Sequence, residues 1–169
     1  IYEACGWKPP KFGHMPMILG EDKKRLSKRH GATSVAEFQE LGVIPEAMVN
    51  YLALLGWSIG ASGDEVLRTK SLVKKFSLKK VGSSPGAFDY DKLDQSNAQH
   101  LKRLEPDGRR ELVMPMLAAR DWAYDPAWLV SGVAATDDYC DRVLKTLGGR
   151  FSNLARIPEQ IGFFFSEDY

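Results

Sequence analysis

The stretch DKKRLSKRHG, Asp22 to Gly31, places Lys23, Lys24, Arg25, Lys28, Arg29 and His30 within ten residues. The 169-residue chain as a whole is balanced, with 23 Lys plus Arg against 22 Asp plus Glu and a formal charge of +1. Any anion the chain binds must therefore be met at local patches such as this one. Lysines on a loop make point-charge contacts with phosphate, and a serine hydroxyl or a free backbone N–H adds hydrogen bonds to the same oxygens. Ser27 stands among the charges, and Gly31 lets the backbone turn sharply away. This set fits a mobile cationic clamp on a polyphosphate. A basic run is more often a solvated face or a loose nucleic-acid contact. Against that, Leu26 and Ser27 break the run at its centre, an apolar segment precedes it and a capped helix follows.

Those residues need a frame. MPMILG (Met15 to Gly20) is short, apolar and ends in glycine, so it reads as a buried strand. In α/β sheets, ligands bind on loops that leave the carboxyl ends of strands. SVAEFQELG carries a capping box, with Ser34 at the N-cap and Glu37 three residues on, and Gly42 closes the short helix. In PEAMVNYLALLGWS, Pro45 takes the first helical position and Gly56 lies just past the end. Met48, Tyr51, Leu52 and Leu55 recur at helical spacing and predict one buried face. ASGD (Ala61 to Asp64) reads as a turn, Ser71 is a candidate cap for LVKKF, and VGSSPGAFD (Val81 to Asp89) reads as loop. A helix is expected from about Asp89 to Arg103, with EPDG (Glu105 to Gly108) as a turn or hinge after it. Beyond that, Arg109 to Trp122, Pro126 to Ala134 and Asp137 to Leu147 read as helices. Phe151 to Phe165 reads as another, interrupted or started at Pro158. No useful period-two alternation follows Gly20. The expected fold is mostly α, with a remnant of an α/β domain at the N-terminus.

Apolar content of 44% is enough for a core without staples. Cys5 and Cys140 are far apart and no C-x-x-C or Cys/His cluster exists, so neither a disulfide framework nor a metal site is expected. The two cysteines suggest reduced thiols in a cytoplasmic protein; no apolar run approaches a membrane span and no signal peptide is visible. IYEACGW at the start reads like a helix end, and IGFFFSEDY stops just after three phenylalanines, so the chain is expected to be a fragment.

RLSKR (Arg25 to Arg29) resembles the Lys-Met-Ser-Lys-Ser loop, the second signature of class I aminoacyl-tRNA synthetases. KKRLSKRHGATSV and, further on, IPEAMVNYLALLGWS (Ile44 to Ser58) are similar to blocks of the bacterial glutamyl-tRNA synthetase family. SPGAFDYDKL (Ser84 to Leu93) resembles the loop and helix of that family's stem-contact region. IGFFFSEDY resembles its aromatic–acidic stretch in the anticodon-binding region. The resemblance implies three parts: residues 1–33 end the class I nucleotide-binding fold and carry the signature loop, 34–105 form a helical stem-contact domain, and 106–169 begin an α-helical anticodon-binding domain.

The resemblance also implies an aminoacyl-tRNA ligase that works in two steps. Glutamate attacks the α-phosphate of ATP, with Mg2+ accompanying the nucleotide, and the activated carboxyl then passes to the 3′ end of tRNA(Glu). Charge gathers on the leaving pyrophosphate, and cations aimed there lower the barrier. The signature's second lysine has this role and falls on Lys28, the implied catalytic residue. Lys24, Arg25, Leu26, Ser27, Lys28 and Arg29 form the implied ATP-phosphate loop. Arg25 stands where the signature has its first lysine, which keeps the charge but replaces a compact ammonium with a planar fork. The loop is expected to be mobile without ATP, because few apolar side chains anchor it. Asp94 and Gln95 stand where the family often has an apolar or tryptophan position.

Candidate tRNA-phosphate contacts are the basic pairs Lys74 and Lys75, Lys79 and Lys80, Lys102 and Arg103, and Arg109 and Arg110. Trp57, Phe88, Trp122, Trp128 and Phe163 to Phe165 are expected in the core rather than stacked on bases, and Cys140 is expected as a buried apolar residue. His14, His30 and His100 do not form the His-x-Gly-His signature that class I enzymes also need. The chain alone is therefore expected not to activate glutamate, and to be a monomer. The competing readings are a glutaminyl or non-discriminating glutamyl enzyme, a free-standing tRNA-binding module, and a helical interaction protein.

Overall fold

The computed structural model describes residues 1–60, 65–118 and 137–164. Its elements run β1 (Ile18–Leu19), α1 (Val35–Glu40), α2 (Pro45–Leu54), α3 (Thr69–Lys75), β2 (Gly86–Ala87), α4 (Tyr90–Lys102), α5 (Pro106–Ala118), α6 (Asp137–Thr146) and α7 (Ile157–Ile161). The strands pair in parallel, Ile18 opposite Gly86 and Leu19 opposite Ala87. Parallel strands need a long crossover, and here it carries the signature loop and α1 to α3. The fold is mostly helical, as the sequence indicates.

Local chemistry sets most of these boundaries. Ser34 accepts a hydrogen bond from the Glu37 amide at 3.2 Å, and Glu37 Oε2 accepts from the Thr33 and Ser34 amides at 2.8 Å each, so the capping box forms. Gly42 ends α1 at φ +80°, and an added Cβ there would run into Asn153 and the backbone of Leu154 and Ala155. Pro45 opens α2, and Asp89 caps α4 by accepting from the Lys92 amide at 2.8 Å.

Several expectations change. The first strand keeps only Ile18 and Leu19, both half-buried, and Met15 and Met17 before it are exposed. Val81 to Asp89 is not all loop, because Gly86 and Ala87 pair with β1; a Cβ on Gly86 would come 2.5 Å from the Leu55 carbonyl oxygen, so the close approach excludes a side chain. Leu52 is exposed, while Ala47 and Asn50 are buried in α2 beside Met48 and Tyr51. Ser71 lies inside α3, whose N-cap is Arg68. Pro106, Asp107 and Gly108 form the first turn of α5 rather than a hinge. Proline at a helix start gives up no intrahelical bond, and an acidic residue there meets the positive end of the helix dipole. The expected helix Pro126 to Ala134, and Trp122 and Trp128, lie outside the described residues.

One apolar cluster joins these elements. Phe38, Ile44, Met48, Tyr51, Phe88, Leu93 and Leu101 are buried together with Val113, Cys140, Val143, Leu147, Phe151, Ile157 and Ile161. Each fully buried large side chain contributes roughly 1.5–3 kcal/mol. Trp57 is buried in a smaller group with Leu67 and Leu72. Inside the main cluster, the fully buried Asn97 accepts from the Ile44 amide and donates to the Gly42 carbonyl, both at 3.0 Å, which clamps the α1–α2 connection onto α4. Asp94 and Gln95 sit on the exposed side of α4, where polar residues need no packing partner.

Candidate functional site

The cationic loop leaves β1 through a tight turn. The Gly20 amide donates to the Lys24 carbonyl at 2.8 Å and the Lys23 amide to the Gly20 carbonyl at 3.0 Å. Lys23 takes φ +60°, the one positive φ outside glycine among the described residues. Arg25 then bridges back to Leu19, and the Leu26 amide donates to the Ile18 carbonyl at 3.0 Å. The Leu26 side chain packs against the main apolar cluster. A single 3-10 turn, Lys28–His30, follows, and Gly31 leaves it at φ +118°.

Asp22 organises this loop. Its carboxylate accepts from the Lys24 amide at 2.9 Å, from Arg29 Nη2 at 3.2 Å and from His30 Nε2 at 3.0 Å. The Lys24 amide, with smaller help from His30 and Arg29, holds the carboxyl below its ordinary range. His30 Nδ1 accepts from the Ser27 amide at 3.1 Å. The network leaves the side chains of Lys24, Arg25 and Lys28 exposed and, among the described residues, without a hydrogen bond. Lys28 lies close enough to Glu37 to add to the capping amides that hold that carboxyl down at about 2. The arrangement offers exposed ammonium and guanidinium groups on a backbone already folded. Few apolar anchors were expected; Leu26 is one, and a polar network around one carboxylate holds the loop beside it.

Sequence reading assigned no role to Gly20 or Asp22 and counted His30 only as charge. A lone acid heading a basic run looks like charge balance, and residues eight apart in a loop share no periodic face. The one available signal was an acidic residue and a histidine at the two ends of a run that opens after a glycine.

The remaining basic candidates divide by what holds them. Lys74 and Lys75 end α3, Lys79 and Lys80 lie on the turn Leu78–Lys80, and all four are exposed with no ion pair among the described residues. Arg68 and Lys70 extend the same stretch, which has no acidic residue between Glu65 and Asp89. Lys102 is exposed at the end of α4. Arg103 donates to the Val66 carbonyl at 2.6 Å. Arg109 donates to the Leu104 and Lys102 carbonyls at 3.0 and 3.1 Å and lies 5.3 Å over the Phe151 ring. Arg110 pairs with Asp107 at 2.6 Å and Asp141 at 3.1 Å. The groove beside these residues, about 460 Å³, is lined by both signs: Lys145, Glu105 and the ion pair of Arg142 with Asp138 at 3.2 Å. Trp57, Phe88 and Cys140 are buried. Among the described residues, no group of three or more His, Cys, Asp or Glu is placed to hold a metal ion, and no helix is long and apolar enough to cross a membrane.

Comparison with known proteins gives the family of the chain. Residues 1–95 match the family described as tRNA synthetases class I (E and Q), catalytic domain. The chain is 42% identical over 168 residues to a glutamate–tRNA ligase of Geobacter sulfurreducens, covering 99% of this chain and 34% of that protein. It is 42% identical over 169 residues to a glutamate–tRNA ligase of Geotalea uraniireducens, covering 100% of this chain and 34% of that protein. In three dimensions it is similar to the glutamate–tRNA synthetase of Elizabethkingia anophelis, with a TM-score of 0.74 and 27% identity over 97% of this chain and 34% of that one. The chain spans about a third of the length of the curated relatives it matches. With more than half of its length matched to that family, the chain belongs to the class I tRNA synthetases of the E and Q group.

Proposed function

We propose that the protein containing this chain is a glutamate–tRNA ligase, acting as a cytoplasmic monomer, and that this chain supplies its ATP-phosphate loop and part of its tRNA-facing surface. The observation that carries the reading is the loop itself. Lys24, Arg25 and Lys28 stand exposed beyond β1 while Asp22, His30 and Leu26 hold the backbone beneath them. Glutamate attacks the α-phosphorus of ATP, the bond to the bridging oxygen breaks, and pyrophosphate leaves with the added charge. Lys28 meets that charge as it develops. A preformed cation at such a position contributes about 2–4 kcal/mol to the transition state. Ser27 hydrogen-bonds within the loop, and Arg29 is shared with Asp22. Mg2+ travels with ATP and needs no dedicated site in these residues.

Residues 1–33 are read as the end of the nucleotide-binding fold, 34–105 as the stem-contact domain and 106–169 as the start of the anticodon-binding domain. For tRNA phosphates, the stretch from Arg68 to Lys80 is favoured over Arg103, Arg109 and Arg110, because its cations are exposed while those arginines are bonded to the protein. The chain alone is read as inactive, since it lacks the His-x-Gly-His pattern. The test uses the full-length protein with ATP, glutamate and purified tRNAs. Charging of tRNA(Glu) with glutamate supports the reading; charging of tRNA(Gln) with glutamine in its place overturns it, and glutamate on both marks a non-discriminating enzyme.

A further inference from the structure

We infer that His30 is a positioning residue for ATP activation, a wedge that holds the loop in shape and so places Lys28; the inference rests on the reading of this loop as an ATP-phosphate clamp. The imidazole occupies the space left by the missing side chain of Gly20. A Cβ at Gly20 would come within 2.7 Å of His30 Cδ2, 2.9 Å of Nε2 and 3.0 Å of Cγ. From that seat the ring reaches two further points of the loop. Nε2 donates to Asp22 Oδ1 at 3.0 Å, and Nδ1 accepts from the Ser27 amide at 3.1 Å, with Ser27 Oγ also at 3.1 Å. The His30 amide itself donates to the Ser27 carbonyl at 2.8 Å.

One flat side chain thus joins the end of β1, the turn carboxylate and the residue before Lys28. The ring is mostly buried while its neighbours Lys28 and Arg29 are exposed. Lysine or arginine cannot replace it, because neither can accept from the Ser27 amide. Alanine leaves that amide without its side-chain partner, removes one of the three donors to Asp22 and opens a gap on Gly20. His30 touches no phosphate in this scheme. It acts through Ser27 and Lys28, so its loss should appear in kcat and in KM for ATP and leave KM for glutamate unchanged.

The experiment is a double-mutant cycle in the full-length ligase, with kcat and KM for ATP and for glutamate measured in tRNA charging. His30→Ala is expected to lower kcat/KM for ATP roughly 10- to 100-fold, the scale on which misplacement of a catalytic group acts, with KM for glutamate within about twofold. Gly20→Ala keeps the histidine but drives its ring off its seat, and the same ATP-specific defect is expected. In the double variant the added methyl meets no ring, so activity should be no worse than that of His30→Ala alone. Additive losses, an unchanged kcat/KM for ATP in His30→Ala, or a KM for glutamate raised as much as the KM for ATP overturn the inference. Lys28→Ala is run beside them. A large ATP defect there with a silent His30→Ala leaves the clamp reading standing and removes this one, whereas a silent Lys28→Ala removes both.

Discussion

Tyr90 donates its hydroxyl to the Ala32 carbonyl at 2.9 Å, and its ring carbon Cζ lies 3.3 Å from where a Cβ on Gly31 would sit. The first residue of α4 therefore braces the exit of the cationic loop, as His30 braces its entry. Tyr90→Phe removes one hydrogen bond and is expected to destabilise by about 1 kcal/mol. Gly31→Ala is expected to do more harm, because it forces a side chain into φ +118° and against that ring. Urea unfolding of both variants checks the order; equal stability of Gly31→Ala and the parent would show that the brace is absent in solution.

Asn97 is the second brace. Asn97→Leu leaves the Ile44 amide and the Gly42 carbonyl without their buried partner. The expected loss is about 2–4 kcal/mol, read as a lower urea midpoint at constant slope. A loss below about 0.5 kcal/mol, the ordinary range of surface substitutions, would mean that water or a shifted backbone replaces the amide.

The capping box gives a pH dependence. The Thr33 and Ser34 amides hold the folded Glu37 carboxyl down to about 2, from an ordinary 4.5. A folded value below the unfolded one means that the contribution is present above pH 4.5 and is lost as pH falls toward 2. Glu37→Gln keeps the shape without the charge. Its stability curve is expected to fall less steeply than the parent's between those two pH values. Parallel curves would contradict the assignment.

Much of this was legible because it is local. The capping box at Ser34 and Glu37, Pro45 at a helix start, Gly42 at a helix end and the start of a helix near Asp89 all depend on residues close in sequence. The signature loop was legible as charge. What stayed hidden depends on contacts across the chain. β2 is a strand only because Gly86 and Ala87 find Ile18 and Leu19. Arg103, Arg109 and Arg110 look like a free basic surface until Val66, Phe151 and Asp141 are placed beside them. Asp22 and His30 required the loop's own fold. Leu52 followed the helical period yet faces solvent, since α2 buries Asn50 instead to accept the Leu67 amide at 2.6 Å.

The stretch from Arg68 to Lys80 should govern the salt dependence of tRNA binding. Replacing Lys74, Lys75, Lys79 and Lys80 by alanine is expected to weaken binding of full-length protein across all tRNAs. Each phosphate contact removed should reduce the salt slope by roughly 0.7–0.9. An unchanged slope would place the RNA elsewhere.

The most direct measurement is the single-turnover rate of each step in full-length protein carrying Lys28→Ala, with tRNA(Glu) present. Loss of about 2–4 kcal/mol of transition-state stabilisation corresponds to a fall of roughly 30- to 1000-fold in formation of glutamyl-adenylate, with transfer to tRNA changed only a few-fold. Adenylate formation at the parent rate, or a loss confined to the transfer step, would contradict the role given to this loop.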